Sequence, residues 1–241
     1  MQLHGCNTLI TGASRGLGAS LARALAAQGA RLALVARDPA PLDALAASLR
    51  DAGAVAWSVP GDVGAKDDAL RLAGAAAALV GPIDLLVHNA SDLGPTPLRD
   101  LRDLDCEDLE RVLAVNVVGP FRLTRALVGS MSLRRTGTVL FVSSDAAVEA
   151  YPRWGAYGAS KAAADQLARV WRAELAADGV TVASADPGEM DTAMHAAAVP
   201  DADRAALAHP DDVAAALVRA LREEVFATTP RLDVTAYRRA R

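Results

Sequence analysis

Along this chain, short aliphatic and β-branched runs alternate with segments whose leucines recur at helical spacing. Residues 8–11, 32–36, 54–58, 83–88, 138–143 and 180–185 are apolar runs of strand length bounded by turn residues. Between the first two, Leu17, Leu21 and Leu25 form a helical stripe that stops at Gly29. Asp38-Pro39 then supplies an N-cap with proline at the first helical position, and Leu42, Leu45 and Leu49 carry that helix to Gly53. Further on, a helix starting near Asp105 carries Leu109, Val112 and Leu113, and Pro210 opens another with Val213, Leu217 and Leu221 as its stripe. Strand–helix alternation of this kind implies right-handed crossovers and a parallel sheet covered on both faces. The expected fold is α/β: a single doubly wound domain over residues 1–241, with about seven strands and helices on both faces.

The first strand runs into Thr11-Gly-Ala-Ser-Arg-Gly-Leu-Gly18 and directly into a helix. Gly12 permits a tight turn, while Gly16 and Gly18 let backbone and helix approach a pyrophosphate seated on exposed helix amides. A dinucleotide in a Rossmann-type crevice is expected, with Ser14 and Leu17 beside the glycines. The tip of the second strand should choose the cofactor, because an acid there bonds the ribose hydroxyls of NAD and repels a 2′-phosphate. This strand ends Val35-Ala36-Arg37, and Arg15 lies in the glycine turn. Two guanidiniums suit a phosphate, so NADP(H) is favoured over NAD. Asp38 is read as the helix cap; a one-residue shift of register would bring its carboxylate to the ribose instead.

Composition narrows the class. With 241 residues and 52% apolar content, the chain can bury a sizeable core without disulfides or metals. Cys6 and Cys106 stand alone, which points to a reducing compartment and no metal site. A net charge of −4 argues against a nucleic-acid partner, although the tail Arg238-Arg239-Ala-Arg241 is basic. The apolar run 112–128 is broken by Asn116, Arg122 and Arg125, so it is not read as a membrane span. No leader pattern is visible, and a soluble cytoplasmic protein is expected.

Of 25 basic residues, only Lys66 and Lys161 are lysines. Lys161 closes Tyr157-Gly-Ala-Ser-Lys161, and in a helix the phenol and the ammonium share one face. A phenol ordinarily ionises near pH ~10, and a neighbouring ammonium favours the phenolate. The pair therefore reads as a proton donor and acceptor tuned down towards neutral pH.

Taken in order, the glycine turn, Asp62-Val63, Asn89-Ala90, Ser144 and the Tyr157/Lys161 pair resemble the short-chain dehydrogenase/reductase family over roughly residues 5–192. The resemblance implies reversible hydride transfer between NADPH and a carbonyl carbon, with a small-molecule carbonyl or alcohol as substrate. It implies adenine contacts from Asp62 and Val63, a cleft lined by Asn89 and Ala90, and a nicotinamide end held by Pro187, Gly188 and Thr192. Ser144, placed 13 residues before Tyr157, would orient the substrate oxygen; Lys161 would also hold the ribose. Asn116 matches the fourth catalytic position. Pro120 four residues later has no N–H, so a kinked helix would free the Asn116 carbonyl to hold a relay water. A homodimer or homotetramer is the family-level expectation, and a catalytically silent NADP-binding sensor or assembly subunit is the alternative.

The chain also departs from the family pattern. His88-Asn-Ala-Ser91 replaces the common Asn-Asn-Ala-Gly, with His88 read as a satisfied buried histidine. The C-terminal strand continues Arg231-Leu-Asp-Val-Thr-Ala-Tyr237 where an Asp-Gly-Gly turn is usual. The substrate is expected between the loop 92–95 and the stretch 189–209, the latter a lid that is mobile over its alanine-rich part. Met190, Met194 and His195 would face it, with Asp145, Tyr151 and Trp154 opposite.

Overall fold

A computed structural model describes residues 1–240; Arg241, the last residue of the basic tail, lies outside them. The strands are β1 (Asn7–Thr11), β2 (Arg31–Ala36), β3 (Val55–Pro60), β4 (Leu85–His88), β5 (Gly137–Val142), β6 (Val180–Asp186) and β7 (Arg231–Asp233). They form one seven-stranded sheet in the order β3-β2-β1-β4-β5-β6-β7, and every neighbouring pair is parallel. The helices are α1 (Gly16–Ala26), α2 (Pro39–Asp51), α3 (Asp68–Val80), α4 (Cys106–Leu113), α5 (Gly119–Arg134) and α6 (Gly155–Leu175). They continue with α7 (Ala193–Ala198), α8 (Pro210–Arg222), α9 (Val225–Thr228) and α10 (Val234–Arg239). The doubly wound sheet expected from the sequence is present.

Successive strand residues point to opposite faces, and two cores result. Ile10, Leu32, Leu34 and Val87 face the leucines of α1 and α2 and the Val213, Leu217 and Leu221 stripe of α8. Leu9, Ala33, Val35 and Leu86 face Leu72 and Ala76 of α3, Leu123 and Leu127 of α5, and Ala164 and Ala168 of α6. The strand order reverses between β1 and β4. Connections leave this point towards opposite faces, which opens a crevice at the carboxyl ends of the strands.

Local details differ from the sequence reading in instructive ways. β4 starts at Leu85 rather than residue 83; just before it, the Asp84 carboxylate takes the Asn7 amide at 3.0 Å and the Asp84 amide bonds the Asn7 carbonyl at 2.8 Å. Asp38 does cap α2, accepting from the Ala40 amide at 3.1 Å. The expected kink at Asn116 is a π turn over Ala114–Val118, in which the Gly119 amide bonds the Ala114 carbonyl. Pro120 cannot complete an i→i+4 bond, and widening the turn by one residue accommodates that.

The continuous stretch from Cys106 to Arg134 is long and apolar enough, by composition alone, to cross a membrane. Half of its most apolar window is buried inside the protein, with Val112, Leu123, Leu127 and Met131 turned inward. It is packed as a core helix.

Leu21 is fully buried, whereas Leu133 at the end of α5 is 89% exposed. Leu21→Ala should cost about 2–5 kcal/mol of stability by leaving a cavity, and Leu133→Ala should stay within about 0.5 kcal/mol of the parent. Urea unfolding of both variants checks the assignment of inside and outside.

Candidate active site

A cavity of about 790 Å³ occupies the carboxyl ends of the strands. Its floor is the turn from β1 into α1. The backbone packs so closely there that a Cβ on Gly12 would lie 2.7 Å from the Ala90 Cα, and one on Gly18 would strike the Gly12 carbonyl. Asn89 braces this turn: its Nδ2 donates to the carbonyls of Thr11 and Gly12, at 3.0 Å each. The amides of Asn89 and Ala90 both donate to the Thr11 hydroxyl at 3.1 Å. No side chain among the described residues caps the N-terminus of α1, so its first amides face the cavity as an anion site.

Of the residues expected to bind a dinucleotide or act on substrate, sixteen border this cavity: Gly12, Ser14, Arg15, Gly16, Leu17, Arg37, Asp62, Val63, Asn89, Ala90, Ser144, Tyr157, Lys161, Pro187, Gly188 and Thr192. Gly18 and Asn116 do not border it. Gly18 lies beneath the turn against Gly12. Asn116 is buried behind the wall, where its amide group exchanges two bonds with the backbone of Asp92, at 2.7 and 2.8 Å. Its Nδ2 also donates to the Ser160 hydroxyl at 2.8 Å, which in turn donates to the Tyr157 carbonyl at 2.7 Å. The π turn thus fastens both the loop after Ser91 and the turn of α6 that carries Tyr157.

Tyr157 and Lys161 are both buried, on the face of α6 that looks into the cavity. The Lys161 ammonium donates to the Val142 carbonyl at the end of β5, at 2.8 Å, and lies 5.4 Å from the centre of the Tyr157 ring. Ser144 follows β5 in extended conformation, and its hydroxyl caps a short 3₁₀ turn by accepting from the Ala146 amide at 3.2 Å.

The electrostatics correct the expectation of a phenol tuned downward. Burial pushes the Tyr157 phenol up to about 12; the Ser144 and Ser91 hydroxyls pull it back only in part, while Asp186 and Asp145 raise it further. The ammonium is engaged with a carbonyl rather than with the phenol oxygen. Lys161 itself is lowered to about 8 by burial, against the opposing pull of Asp165 and Asp186. At neutral pH the pair is a protonated phenol above an ammonium.

Ser91, noted in the sequence only as a departure, is therefore part of the site: its hydroxyl reaches Tyr157 and also donates to Asn116 Oδ1 at 3.3 Å. The signal was its position, one residue past Asn89-Ala90 at the switch point. His88 is buried with its Nε2 2.7 Å from the Thr124 hydroxyl, and burial lowers it to about 3. It is neutral and points away from the chemistry.

Loop 92–95 contributes Leu93 to the wall, and Asp145, Tyr151, Trp154, Met190, Met194 and His195 all line the cavity as expected. The stretch 189–209 is tied back to itself at its base. Met190 bridges Ala208, and the Asp191 amide donates to the Ala208 carbonyl at 3.0 Å. Arg204 forks onto Asp191 at 2.8 and 2.9 Å. The base is pinned, with α7 held over the cavity.

A family profile described as short chain dehydrogenase matches residues 7–203. Galactitol 2-dehydrogenase (L-tagatose-forming) of Cereibacter sphaeroides is 37% identical over 195 residues, covering 80% of this chain and 74% of that one. 2,3-Dihydro-2,3-dihydroxybenzoate dehydrogenase of Bacillus subtilis is 34% identical, over 80% of this chain and 72% of its own length. Among solved structures, a putative NAD(P)-dependent gluconate 5-dehydrogenase from Beutenbergia cavernae with bound NADP superposes with a TM-score of 0.88. It is 27% identical and covers 97% of this chain and 96% of that one.

Asn116→Ala takes the acceptor from the part-buried Asp92 amide and one of two partners from the buried Ser160 hydroxyl. The unsatisfied amide, at a loss of about 1–3 kcal/mol, should lower the urea midpoint clearly. An unchanged midpoint would mean that Asn116 does not brace the loop and α6.

Proposed function

The chain belongs to the short-chain dehydrogenase/reductase family, and on that premise we propose that it moves a hydride between NADP(H) and the carbonyl or alcohol carbon of a small molecule. The observation carrying this reading is the buried Tyr157 and Lys161 pair, with Ser144 beside it, in the same cavity as the glycine turn. The residues fit the cofactor: a turn with no room for a Cβ at Gly12 or Gly18, uncapped α1 amides, and two cavity-lining guanidiniums, Arg15 and Arg37, for a 2′-phosphate. Ser143 Oγ, buried beside the cavity without a protein partner among the described residues, adds an unspent polar atom. The solved relative with NADP bound supports the same choice of cofactor.

When bound, the nicotinamide supplies or accepts the hydride. The protein's part is to orient the substrate and to manage one proton. Ser144 Oγ hydrogen-bonds the substrate oxygen, and Tyr157 Oη holds a proton and delivers it to that oxygen. Lys161 keeps a positive charge beside the developing anion and holds ribose hydroxyls. In the oxidative direction the phenol must first release its proton, so alkaline conditions favour alcohol oxidation. Asn116 keeps the Tyr157 turn and the Ser91 loop in register, and its main-chain carbonyl in the π turn is the anchor for a water that resupplies protons. The 189–209 stretch serves as the substrate lid, rocking on its pinned base.

The exposed apolar positions Phe121 on α5 and Val170 on α6, with Val118 of the π turn before α5, fit a homodimer or homotetramer. The unpaired thiols of Cys6 and Cys106 fit a reducing, cytoplasmic setting.

The test is a panel of aldehydes, ketones and quinones assayed with NADPH and NADH in parallel, using the parent and Tyr157→Phe. The parent should turn over with a preference for NADPH, and Tyr157→Phe should bind NADPH equally while losing about 10²-fold or more in kcat. Activity within a few-fold of the parent would remove Tyr157 as the acid. Reduction should also fall as pH rises through about 8, where Lys161 loses its charge while the phenol remains protonated. A rate flat to pH ~10 would contradict the charged role of Lys161.

A further inference from the structure

Arg231, on the edge strand β7, makes more contacts to the active-site scaffold than its distance along the chain suggests. Its Nε donates to Asp165 Oδ2 at 2.9 Å, and one terminal nitrogen donates to Asp186 Oδ2 at 3.1 Å and to the Ser144 carbonyl at 2.9 Å. The three partners belong to three elements. Asp165 stands one turn beyond Lys161 on α6, Ser144 follows β5, and Asp186 ends β6 directly before Pro187-Gly188. The strand register fixes the guanidinium there, with Arg231 paired to Ser184.

Asp165 is 3% exposed and Asp186 is 8% exposed. Carboxylates at that depth need a counter-charge. Both also act on Lys161, where they oppose the effect of burial. The charged and titratable groups around Lys161 are thus Tyr157 and Asp165 on its own helix and Asp186 on β6; Arg231 faces the two carboxylates from β7, and Asp145 acts on Asp186 and Tyr157 from the other side.

We propose that Arg231 is a positioning residue of this active site, fixing the main chain of Ser144 while neutralising the two carboxylates behind Lys161. Loss of its charge leaves Asp165 and Asp186 free to hold the ammonium more tightly. Loss of its planar fork releases the Ser144 tether even when the charge is kept. The inference rests on the catalytic reading of Ser144 and Lys161.

The sequence provides its own probe. Lys66 and Lys161 are the only lysines, so ¹³Cε-lysine labelling gives two titrating side-chain signals, assigned with Lys66→Arg. In the cofactor-free protein, Lys161 should titrate near 8. Arg231→Gln should move that titration upward, and Arg231→Lys should leave it near the parent. Per folded molecule, both variants should lose about tenfold or more in kcat with KM little changed. A Lys161 titration in Arg231→Gln identical to the parent overturns the proposal. If the glutamine variant does not fold, Arg231→Lys decides, and parent-like kcat in that variant overturns the tether. A parent with no turnover on any substrate, but with the titration shifted in Arg231→Gln, would sink the catalytic reading and leave the charge role of Arg231 standing.

Discussion

The structure depends on burial of a phenol and an ammonium side by side at the carboxyl edge of a parallel sheet. Neither group is held in solvent, and the two respond in opposite directions: burial raises Tyr157 and lowers Lys161. Both neutral forms are favoured by low dielectric. Lys161 nevertheless keeps its charge near neutrality because the Val142 carbonyl accepts from it and because Asp165 and Asp186 act on it. The phenol has only hydroxyl partners and two acids nearby, so it keeps its proton. On the proposed function, that retained proton is the one Tyr157 gives to a substrate oxygen held by Ser144.

Around that pair the fold supplies rigid supports from both faces. The switch point between β1 and β4 opens the crevice, and the Asn89 side chain fastens the glycine turn to β4. The π turn joins the Ser91 loop to α6 through Asn116 and Ser160. Arg231 ties the ends of β5 and β6 to the same helix from the opposite side. Each support uses backbone carbonyls or buried carboxylates, groups that must be paired wherever they are buried. Local hydrogen-bond satisfaction and the geometry of the site are here one requirement.

Much of this was legible in the sequence because it follows from periodicity and backbone sterics. Leu9 and Ile10 alternate between the two cores, the leucines of α1 and α2 repeat at helical spacing, and Asp38-Pro39 marks a cap. The glycine turn reads correctly because the absence of a Cβ is itself the information. What the sequence did not convey depends on three-dimensional surroundings. The direction of the Tyr157 shift turns on depth and on where the Lys161 ammonium points, neither of which follows from an i, i+4 spacing. The form of the break at Asn116, a π turn, depends on how the helix repacks around Pro120. Ser91 and Arg231 lie 66 and 74 residues from Tyr157 along the chain, and only the sheet order brings them to it. The alanine-rich stretch after Met190 carries no periodic signal for its pinned base, which is made by one backbone bridge and one guanidinium fork.

The central claim, that burial keeps the Tyr157 proton in place at neutral pH, is tested most directly by the ultraviolet difference spectrum of tyrosinate. Parent protein and Tyr157→Phe are titrated from about pH 6 to about pH 10 and subtracted, against an ordinary phenol that ionises near ~10. The account predicts no tyrosinate in the difference below about pH 10. A tyrosinate band absent from the variant and growing in between about pH 6 and 8 would contradict it, and would restore a phenol governed by the charge of Lys161.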